Sequence, residues 1–439
     1  MSGLPAGWTE AFLAELGGEI RGSVVAATGV SYELYSVPTF PTRRPEILDG
    51  SEIGSAKRPV QPGDVLLCKI NPRINRVWIV AEPFGHQREQ VASTEYLVLR
   101  TSDFDLSRYI MWYLRSPAFR EWIKLTVEGA TGSHTRAKSG PILRQRIPVP
   151  PMNEQRRIVA AIEEQFSRLD AADTSLSSAQ GRLALLRGQA VELAFIGDWS
   201  WTTLGEIAEI AGGVTKDAKR EGDPSFVEVP YLRVANVQRG FLDLAEVSMI
   251  RVSPEKAKAL ALQPGDVLFN EGGDRDKLGR GWVWSGEVEG CIHQNHVFRA
   301  RLHDEFEPKF VSWHGNMFGR GWFQANGRQT TNLASLNLNT LKRFPVPAPP
   351  LEEQRRIVTE VEQQLSLIDA MHRSIEAAKR RSAALRRSIL ERAFRGELVP
   401  QDPTDEPASV LLQRIAAGRA TAGEATGRRP RRRATMQRS

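Results

Sequence analysis

One pattern of apolar residues occurs twice in this chain. Apolar side chains recur at alternating steps of four and three residues from Ile158 onwards, and the same steps return 199 positions later, from Ile357 onwards. This spacing keeps one seam of a helix against a partner helix, and about 40 residues of helix are ~60 Å long. The pattern therefore predicts two long helices that pair with each other. Their seam positions are Ile158, Ile162, Gln165, Leu169, Leu176, Leu183 and Leu186 in the first helix and Ile357, Val361, Gln364, Ile368, Ile375, Leu385 and Ile389 in the second.

The two helical segments match without insertion or deletion between residues 154–197 and 353–396. Gln165 and Gln364 interrupt the apolar seam at the same heptad position, where a polar residue can fix the register of a helix pair. We therefore expect a spacer of fixed length, with the matched glutamines holding its register.

A globular segment precedes each long helix, and short motifs repeat between the two segments. In the first segment, residues 65–67, 77–80 and 96–99 predict strands, and residues 109–125 predict a helix that Ser116-Pro117 interrupts. Gln-Pro-Gly-Asp-Val-Leu at 61–66 returns at 263–268, and Leu-Gly-Glu-Ile at 204–207 resembles Gly-Glu-Ile at 18–20. Each segment ends in a proline run that blocks helix, and Asn153 is predicted to cap the first long helix.

The chain is predicted to contain two mixed α/β domains in tandem, each followed by a long helix. The divisions are residues 1–146 for the first domain, 147–198 for the first helix, 199–345 for the second domain, 346–400 for the second helix and 401–439 for a basic tail. An internal repeat of about 200 residues describes two domains of one kind rather than a solenoid. Within the tail, residues 408–417 predict a short helix and the residues after it predict disorder.

The basic charge of the chain is concentrated in that tail. Residues 418–439 hold seven arginines and one acid, so they contribute +6 of the formal net charge of +7. Any nucleic-acid surface on the folded domains must therefore come from local patches. The tail itself predicts a contact to DNA or RNA that does not depend on nucleotide sequence.

Composition and missing motifs disfavour several classes of protein. There is no apolar run long enough to predict a membrane span, the first residues lack a basic signal-peptide start, and the two distant cysteines, Cys68 and Cys291, suit a reducing cytoplasm. The Asn/Asp-Pro-Pro-aromatic loop of adenine methyltransferases, the Walker A loop and the Pro-Asp dipeptide of many nucleases are absent, which predicts a non-catalytic chain. Cys291, His293 and His296 offer three metal ligands without a fourth, so a structural or DNA-facing role is favoured over a metal site.

The doubled motif Pro-Pro-x-x-Glu-Gln-Arg-Arg-Ile, at residues 150–158 and 349–357, resembles the DNA-specificity subunits of type I restriction-modification systems. Tyr-Leu-Arg-Val-Ala-Asn-Val at 231–237 and Gly-Asp-Val-Leu-Phe-Asn-Glu-Gly-Gly at 265–273 add to the resemblance, which covers residues 1 to about 400. It implies two target-recognition domains that each read one half of a bipartite double-stranded DNA site. It also implies an antiparallel pair of long helices that spaces the domains and docks two adenine methyltransferase subunits, with a translocating nuclease subunit joining for restriction. S-adenosylmethionine, ATP and magnesium would then belong to those partners, and this chain would hold no cofactor.

Within this resemblance, basic and amide side chains that occupy comparable places in the two domains are the candidates for DNA contact. Arginine forks onto guanine or touches phosphate, and asparagine suits adenine. The candidates are Lys69, Arg73, Arg76, His134 and Arg136 in the first domain and Arg233, Asn236, Arg275, Lys277, Arg280 and Asn332 in the second.

Two other functions compete with this interpretation. A coiled-coil scaffolding protein would have the helices but would need no basic loops at the same place in both domains. An enzyme would need the motifs that are missing. Methyl transfer to DNA by the chain with and without a methyltransferase separates the three.

Overall fold

Both long helices are present, at Met152–Ala194 and Leu351–Ala393. The computed structural model describes residues 3–85, 88–128, 135–216, 223–273, 278–326, 328–329 and 334–427. The chain divides into two compact units: unit 1 comprises Met1–Ser175 with Ala378–Ser439, and unit 2 comprises Leu176–Ala377. Each unit therefore contains one α/β domain and a part of each long helix. None of the helices in the described ranges combines the length and apolar character that crossing a bilayer requires.

The strands of unit 1 form two four-stranded sheets and two short pairs. They are β1 (Thr9–Phe12), β2 (Gly17–Glu19), β3 (Ser31–Tyr35), β4 (Glu46–Asp49), β5 (Arg58–Pro59), β6 (Val65–Cys68), β7 (Val77–Ile79), β8 (Glu89–Ala92), β9 (Tyr96–Thr101), β10 (Val127–Glu128), β11 (Arg136–Ala137) and β12 (Arg146–Val149). The sheets have the orders β2-β9-β6-β7 and β4-β3-β8-β5, while β1 pairs with β12 and β10 with β11. The strands predicted from the sequence are confirmed as β6, β7 and β9.

The helices of unit 1 cover one face of the first sheet. They are α1 (Leu13–Leu16), α2 (Phe104–Arg115), α3 (Pro117–Leu125), α4 (Ser139–Leu143) and the first part, up to Ser175, of the long helix α5 (Met152–Ala194). The predicted interruption is confirmed: the Ser116 side chain accepts a hydrogen bond from the Phe119 amide and Pro117 begins α3. Because side chains alternate along a strand, Val65 of β6 joins the core beneath the helices and Leu66 joins the core toward the second sheet.

Unit 2 repeats this topology. Its strands are β13 (Trp201–Thr203), β14 (Ala208–Ala211), β15 (Val227–Leu232), β16 (Ser248–Val252), β17 (Val267–Asn270), β18 (Gly272–Gly273), β19 (Gly281–Val283), β20 (Ile292–His293), β21 (Val297–Leu302), β22 (Arg328–Gln329), β23 (Ala334–Ser335) and β24 (Pro345–Pro347). Its helices are α6 (Leu204–Ile207), α7 (Pro254–Leu260), α8 (Pro308–Met317), α9 (Gly319–Asn326), α10 (Leu338–Lys342) and the second long helix, α11 (Leu351–Ala393). The sheet β14-β21-β17-β19 matches β2-β9-β6-β7, and the three-stranded sheet β16-β15-β20 matches β4-β3-β8 without a described counterpart of β5. The β13-β24 pair and the β22-β23 hairpin match β1-β12 and β10-β11.

The repeat differs from the sequence prediction at the opening of each domain. Leu-Gly-Glu-Ile at 204–207 forms α6, which directly follows β13, just as α1 directly follows β1. Its counterpart is therefore Leu-Ala-Glu-Leu at 13–16 rather than Gly-Glu-Ile at 18–20. Glu15 and Glu206 carry the same role, because each carboxylate accepts a hydrogen bond from the backbone amide three residues earlier.

Each proline run ends at a buried glutamine in the first turn of the long helix. Gln155 Nε2 donates to the Pro150 carbonyl at 2.8 Å, and Gln354 Nε2 donates to the Pro349 carbonyl at 2.9 Å. Asn153 does not cap α5 as predicted, because the helix already begins at Met152. These bonds fix the strand that ends each domain to the helix that leaves it.

In both units the two long helices run antiparallel. In unit 1, Ile158 shares a core with Ala393, whereas further along α5 Asp170 accepts a hydrogen bond from Arg386 at 2.9 Å. In unit 2, Gln180 Nε2 donates to Glu376 Oε1 at 3.1 Å. As residue numbers rise along α5, the numbers of the partners on α11 fall, so the predicted antiparallel pairing is confirmed.

The buried seam departs from the strict heptad positions. Ile158, Ile162, Ile357, Val361, Ile368 and Ile389 are buried, but Leu186 is 48% exposed and Leu385 52%. Met371, one heptad after Gln364, is 45% exposed. Gln364 is exposed while Leu365 is buried, so Gln364 lies outside the seam and Gln165 lacks the partner that the register hypothesis needs. Leu365 belongs to the core of unit 2 together with Val358 and Val361, so packing against that core determines which face of α11 is buried here.

Residues after α11 return to the domain of unit 1. Asp405 accepts hydrogen bonds from Arg157 at 2.7 Å and Asn153 at 3.2 Å. Helix α12 (Ala408–Gly427) buries Ala408, Leu411 and Ile415 in the core of unit 1. The structure thus differs from the predicted tail, because the helix extends ten residues beyond the expected end at 417.

We expect Gly396→Ala to destabilise unit 1. Gly396 has φ +76°, and a Cβ there would lie 2.4 Å from Pro5 Cγ and 3.2 Å from Trp8 Cζ2. The free energy of unfolding should fall by ~2 kcal/mol, because both the backbone angle and the contact oppose a side chain. Urea denaturation followed by tryptophan fluorescence measures the change.

The matched control is Gly418→Ala in α12, where no atom lies within 4 Å of the added Cβ. That substitution should leave stability unchanged or raise it by up to ~1 kcal/mol. Equal urea midpoints for the two variants would contradict the prediction.

Candidate nucleic-acid interface

The repeated Pro-Gly-Asp turn is held by the same side-chain contacts in both units. Asp64 accepts the Gln61 amide at 2.9 Å and both nitrogens of the Arg100 fork, Nε at 2.8 Å and Nη2 at 2.7 Å. Asp266 repeats this arrangement with the amide of Gln263 and the guanidinium of Arg301. The hydrogen bonds to Asp64 raise the pKa of Arg100. The repeated motif therefore holds the turn before β6 and β17, and its aspartates are occupied by structural partners.

In unit 1 the segment after β6 meets the β10-β11 hairpin. The Asn71 amide donates to the Thr135 carbonyl at 2.9 Å, and the Ala137 amide donates to the Lys69 carbonyl at 2.9 Å. Two stretches 64 residues apart in the chain are thereby joined through their backbones. This brings the predicted candidates Lys69 and Arg136 to one surface.

That surface carries the cations Lys69, Arg58 and Arg136 beside the acids Glu95 and Glu19. Arg136 forms an ion pair with Glu95, and the Lys69 amide donates to the Glu95 carbonyl at 2.9 Å. Burial lowers the pKa of Lys69, and the nearby charges of Arg58 and Arg136 lower it further. Arg58 was not among the predicted candidates, because it lies on a short strand that has no counterpart in unit 2. The crowding of positive charge favours an anionic ligand.

Arg73 and Arg76 occupy different environments. Arg76 is half-buried, and its Nη1 donates to the Ile70 carbonyl at 3.5 Å, so it supports the loop from within. Arg73 is exposed and lines a cleft of about 1300 Å³ within unit 1, together with Arg43, Arg115 and Arg120. Burial lowers the pKa of Arg115 to about 10, and Arg43 beside it contributes to the shift. Arg73 thus remains available for a phosphate.

Unit 2 builds the corresponding surface with the same backbone contacts. The Leu336 amide donates to the Glu271 carbonyl at 2.7 Å, and β18 pairs with β23 of the β22-β23 hairpin. Arg280 begins the return of the loop and donates to the Val234 carbonyl at 3.1 Å. The candidates His134, Arg275, Lys277 and Asn332 lie outside the described residues.

Asn236 is a structural residue in this fold rather than a free reader of adenine. It is buried, its Oδ1 accepts the Arg233 amide at 2.9 Å, and its Nδ2 donates to the carbonyls of Asp243 and Glu246 at 2.8 and 2.9 Å. Asn270 donates to the carbonyl of Val237 in the same turn. All of these bonds hold residues 233–237 in shape, and Arg233 itself is only partly exposed.

The charge changes sign between the two units at one pair of equivalent backbone positions, Lys69 and Glu271. The Lys69 amide donates to the Glu95 carbonyl in unit 1, and the Glu271 amide donates to the His296 carbonyl in unit 2, both at 2.9 Å. Lysine in one domain thus corresponds to glutamate in the other, and glutamate corresponds to histidine. His296 Nδ1 lies 2.5 Å from Glu271 Oε2. The 202-residue offset between the two Gly-Asp turns predicts that Lys69 and Glu271 are equivalent. Nothing in the sequence indicates that Glu95 lies against Lys69 or that His296 lies against Glu271.

Cys291, His293 and His296 do not converge. Cys291 Sγ lies 3.5 Å from the Ile292 carbonyl, and His293 Nδ1 lies 2.6 Å from the Val297 carbonyl. Burial raises the pKa of Cys291 to about 12, so the thiol stays protonated and is a poor metal ligand. Burial also lowers the pKa of His293 to about 4. Across the residues that the structure describes, no group of three or more His, Cys, Asp or Glu side chains is arranged to hold a metal ion.

We expect Asn236→Ala to destabilise unit 2 without changing which DNA sequence is preferred. The substitution removes three hydrogen bonds from a buried side chain, which should lower the free energy of unfolding by ~2–3 kcal/mol. Urea denaturation measures the loss. Arg73→Ala is the control, because that side chain is exposed and its removal should leave stability unchanged. A stable Asn236→Ala protein with relaxed sequence preference would contradict the structural role.

Comparison with known proteins agrees with this architecture. The family model described as the type I restriction modification DNA specificity domain matches residues 196–380. The StySPI specificity subunit of Salmonella potsdam is 26% identical over 353 residues, which cover 74% of each chain. The EcoKI specificity subunit of Escherichia coli strain K12 is 24% identical over 354 residues, 74% of this chain and 75% of that one.

Solved structures share the fold. A chain from work on complex assembly and conformational transition of the type I R-M system superposes with a TM-score of 0.71 at 22% identity, covering 90% of this chain and 99% of that one. The HsdS subunit of Thermoanaerobacter tengcongensis gives a TM-score of 0.60 at 20% identity, covering 90% and 98%. The doubled helix motif, the repeated domain topology and these relatives lead to one conclusion: residues 196–380 match a type I restriction modification DNA specificity domain, and the chain is similar to type I specificity subunits over 74% of its length.

Proposed function

We propose that this chain gives a type I restriction-modification complex its DNA sequence specificity by reading a bipartite site, one half with each α/β domain. The family supports a role in DNA sequence specificity. The observation that carries the bipartite proposal is the change of charge sign from Lys69 to Glu271 at equivalent positions, where the carbonyl that accepts the backbone amide belongs to Glu95 and His296 respectively. Two copies of one scaffold with opposite charge at the same place suit two different half-sites.

The chemistry of these residues suggests what each domain prefers. Lys69 and Arg136 present donors, which suit the guanine acceptors of the major groove or a phosphate. Glu271 presents an acceptor, which suits the amino group of cytosine. Arg73, exposed beside a cleft with other arginines, suits the phosphate backbone and would position the duplex without reading it.

The pair of long helices would serve as spacer and as the docking surface for two adenine methyltransferase subunits. In unit 2 an apolar groove of about 560 Å³ between the helices is lined by residues that include Leu183, Leu186, Met371 and Ile375. Leu385 in unit 1 is the counterpart of Leu186 in the 199-residue repeat, and both are about half exposed. Apolar side chains that follow the heptad but do not face the partner helix are available to a further protein.

Chemistry would then reside in the partners. Methyl transfer would use S-adenosylmethionine on the methyltransferase subunits, and restriction would use ATP and magnesium on a translocating nuclease subunit. This chain would bind the duplex at a defined sequence and thereby position the active sites of the partners on the DNA.

The experiment that tests the proposal exchanges residues 199–345 for the corresponding domain of a related chain. With a methyltransferase present, the methylated motif should change in one half only, because each domain has its own turn, loop and hairpin. Sequencing of methylated adenines in genomic DNA measures the motif. A motif altered in both halves would contradict independent reading, and an unaltered motif would favour the scaffolding alternative.

The docking surfaces can be tested separately. Leu186→Asp with Met371→Asp should reduce the methyltransferase stoichiometry from two per chain to one, and adding Leu385→Asp should remove the second. The side chains are about half exposed, so folding should be little affected. Mass measurement of the purified complexes counts the subunits. Val25→Asp, at an 80% exposed site in the first domain, is the control. Retention of two methyltransferases by the triple variant would exclude these surfaces.

A further inference from the structure

The cleft of unit 1 contains more arginines than carboxylates. It measures about 1300 Å³, and its walls come from the segment between β6 and β7, the junction of α2 with α3, and stretches of α5 and α11 that belong to unit 1. Small-molecule sites usually measure about 300–1,000 Å³, so the cleft has room for a ligand of nucleotide size. Six arginines and four carboxylates line it.

The arginines on the α11 wall of the cleft are paired with carboxylates. Arg386 donates to Asp170 and to Asp173, each at 2.9 Å. Arg387 pairs with Glu391 one turn later, also at 2.9 Å. The charges of these two arginines are therefore balanced within unit 1.

The other two carboxylates of the cleft are paired with cations outside its lining. Glu163 forms an ion pair with Arg108, and Glu121 forms one with Lys124 at 2.8 Å. Four lining arginines are left, and within the part of the chain that the structure describes none of them forms an ion pair. They are Arg43, Arg73, Arg115 and Arg120.

Arg115 and Arg43 are the two arginines whose charges oppose each other most directly. Arg115 Nη2 donates to the Val77 carbonyl at 2.6 Å, and its guanidinium lies 5.1 Å from the centre of the Trp112 ring. The pKa of Arg115 is lowered to about 10, chiefly by burial and then by the charge of Arg43, against an opposing contribution from Glu163. Arg115 is still protonated at neutral pH, so an anion bound beside both arginines would relieve the repulsion between them.

The cleft also contains a buried donor without an acceptor. Trp78 lines the cleft and is only 6% exposed, and its Nε1 has no hydrogen-bond partner among the described residues. A buried N–H without an acceptor is costly, so an acceptor oxygen on a ligand would stabilise it. Phe40, whose ring centre lies 5.5 Å from that of Trp78, and Ile74, which is 48% exposed, add apolar surface to the same cleft.

We propose that this cleft binds a free nucleoside polyphosphate. The phosphates are held by Arg43, Arg115 and Arg120, because guanidinium forks match the spacing of phosphate oxygens. The base packs against Phe40 and Ile74. The cleft thus combines the two features that a nucleotide needs in one site, namely unpaired cations and accessible apolar side chains.

A free nucleotide fits the cleft better than duplex DNA or an acidic protein segment does. A duplex carries its phosphates on a convex surface, whereas Arg115 is half-buried and bonded to β7. Carboxylate side chains would use the arginines but would leave Phe40 and Ile74 without an apolar partner. Arg73 is exposed and stays with the duplex contact proposed above, so it is not part of this site.

The first experiment measures ATP binding to the full chain by equilibrium dialysis, without DNA or partner subunits and with EDTA present to remove magnesium. ATP should bind saturably at one site per chain. Inorganic tripolyphosphate should bind about tenfold more weakly, because it lacks the base that stacks on an aromatic ring. Adenosine, which lacks the phosphates, should not bind measurably.

Arg43→Gly combined with Arg120→Gln tests the phosphate contacts. Arg43 has φ +55°, which glycine adopts without strain, and Arg120 is exposed, so the variant should keep the urea midpoint of the full chain. Each lost guanidinium should weaken ATP binding about tenfold or more, and Arg120→Gln alone should show the single step. Arg44→Gly with Arg144→Gln is the matched control, because it makes the same changes at exposed arginines outside the cleft and should bind ATP as the full chain does.

Competition distinguishes a free nucleotide from the other sources of negative charge. A short duplex of random sequence and a polyglutamate peptide are each added to the ATP-bound chain, and neither should displace ATP at a matched concentration of negative charge. Displacement by the duplex would assign the cleft to the DNA backbone, and displacement by the peptide would assign it to an acidic protein partner. Either result would overturn the proposal.

Two further results would also overturn it: no saturable ATP binding, or equal ATP affinity in the cleft variant and its matched control. The proposal goes beyond the proposed function and does not depend on it, because binding is measured without DNA and Arg73 is left unchanged. A failure to bind ATP would leave the outcome of the domain exchange unaffected.

Discussion

A buried glutamine amide at the start of each long helix is the interaction on which the architecture depends. Proline runs leave carbonyls without neighbouring amide donors, and a buried carbonyl without a donor is costly. Gln155 and Gln354 supply the donor and so connect the last strand of each domain to the helix that follows. Gln354 also donates to the Glu305 carbonyl and accepts the Glu307 amide, which ties in the loop before α8. The angle between domain and helix is thereby set by hydrogen bonds within each unit.

With that angle fixed, variation is confined to loops. The Asp64–Arg100 and Asp266–Arg301 forks hold the same turn in both units, and the backbone contacts between the loop and its hairpin are alike. Side chains on this frame can change sign, as Lys69 and Glu271 do, without disturbing the strands beneath. A repeated scaffold with exchangeable charge is what two different recognition surfaces require.

The sequence predicted the elements whose signal is local. The heptads of α5 and α11, the strands β6, β7 and β9, and the break at Ser116-Pro117 all follow from periodicity or from proline. Contacts between distant segments could not be predicted in this way. Asparagine can read adenine, yet the Asn236 amide donates its hydrogen bonds to the carbonyls of Asp243 and Glu246. The sequence does not indicate that these residues lie against Asn236. Gln364 fails for a different reason, because Leu365 next to it packs into the core of unit 2, and the heptad pattern alone does not show that contact.

The position of α12 also affects the order in which the two units can complete their cores during synthesis. Unit 2 is one continuous stretch, Leu176–Ala377, so a ribosome completes it before the chain ends. Unit 1 is not continuous: its core includes Ala393, Phe394, Leu411 and Ile415, with the Phe394 ring 5.5 Å from Tyr109 and 5.2 Å from Tyr113. The domain that is synthesised first is therefore the last to close its core. Until these last residues are synthesised, the apolar side chains that they cover in unit 1 stay exposed to solvent. A nascent chain released early would keep those side chains exposed.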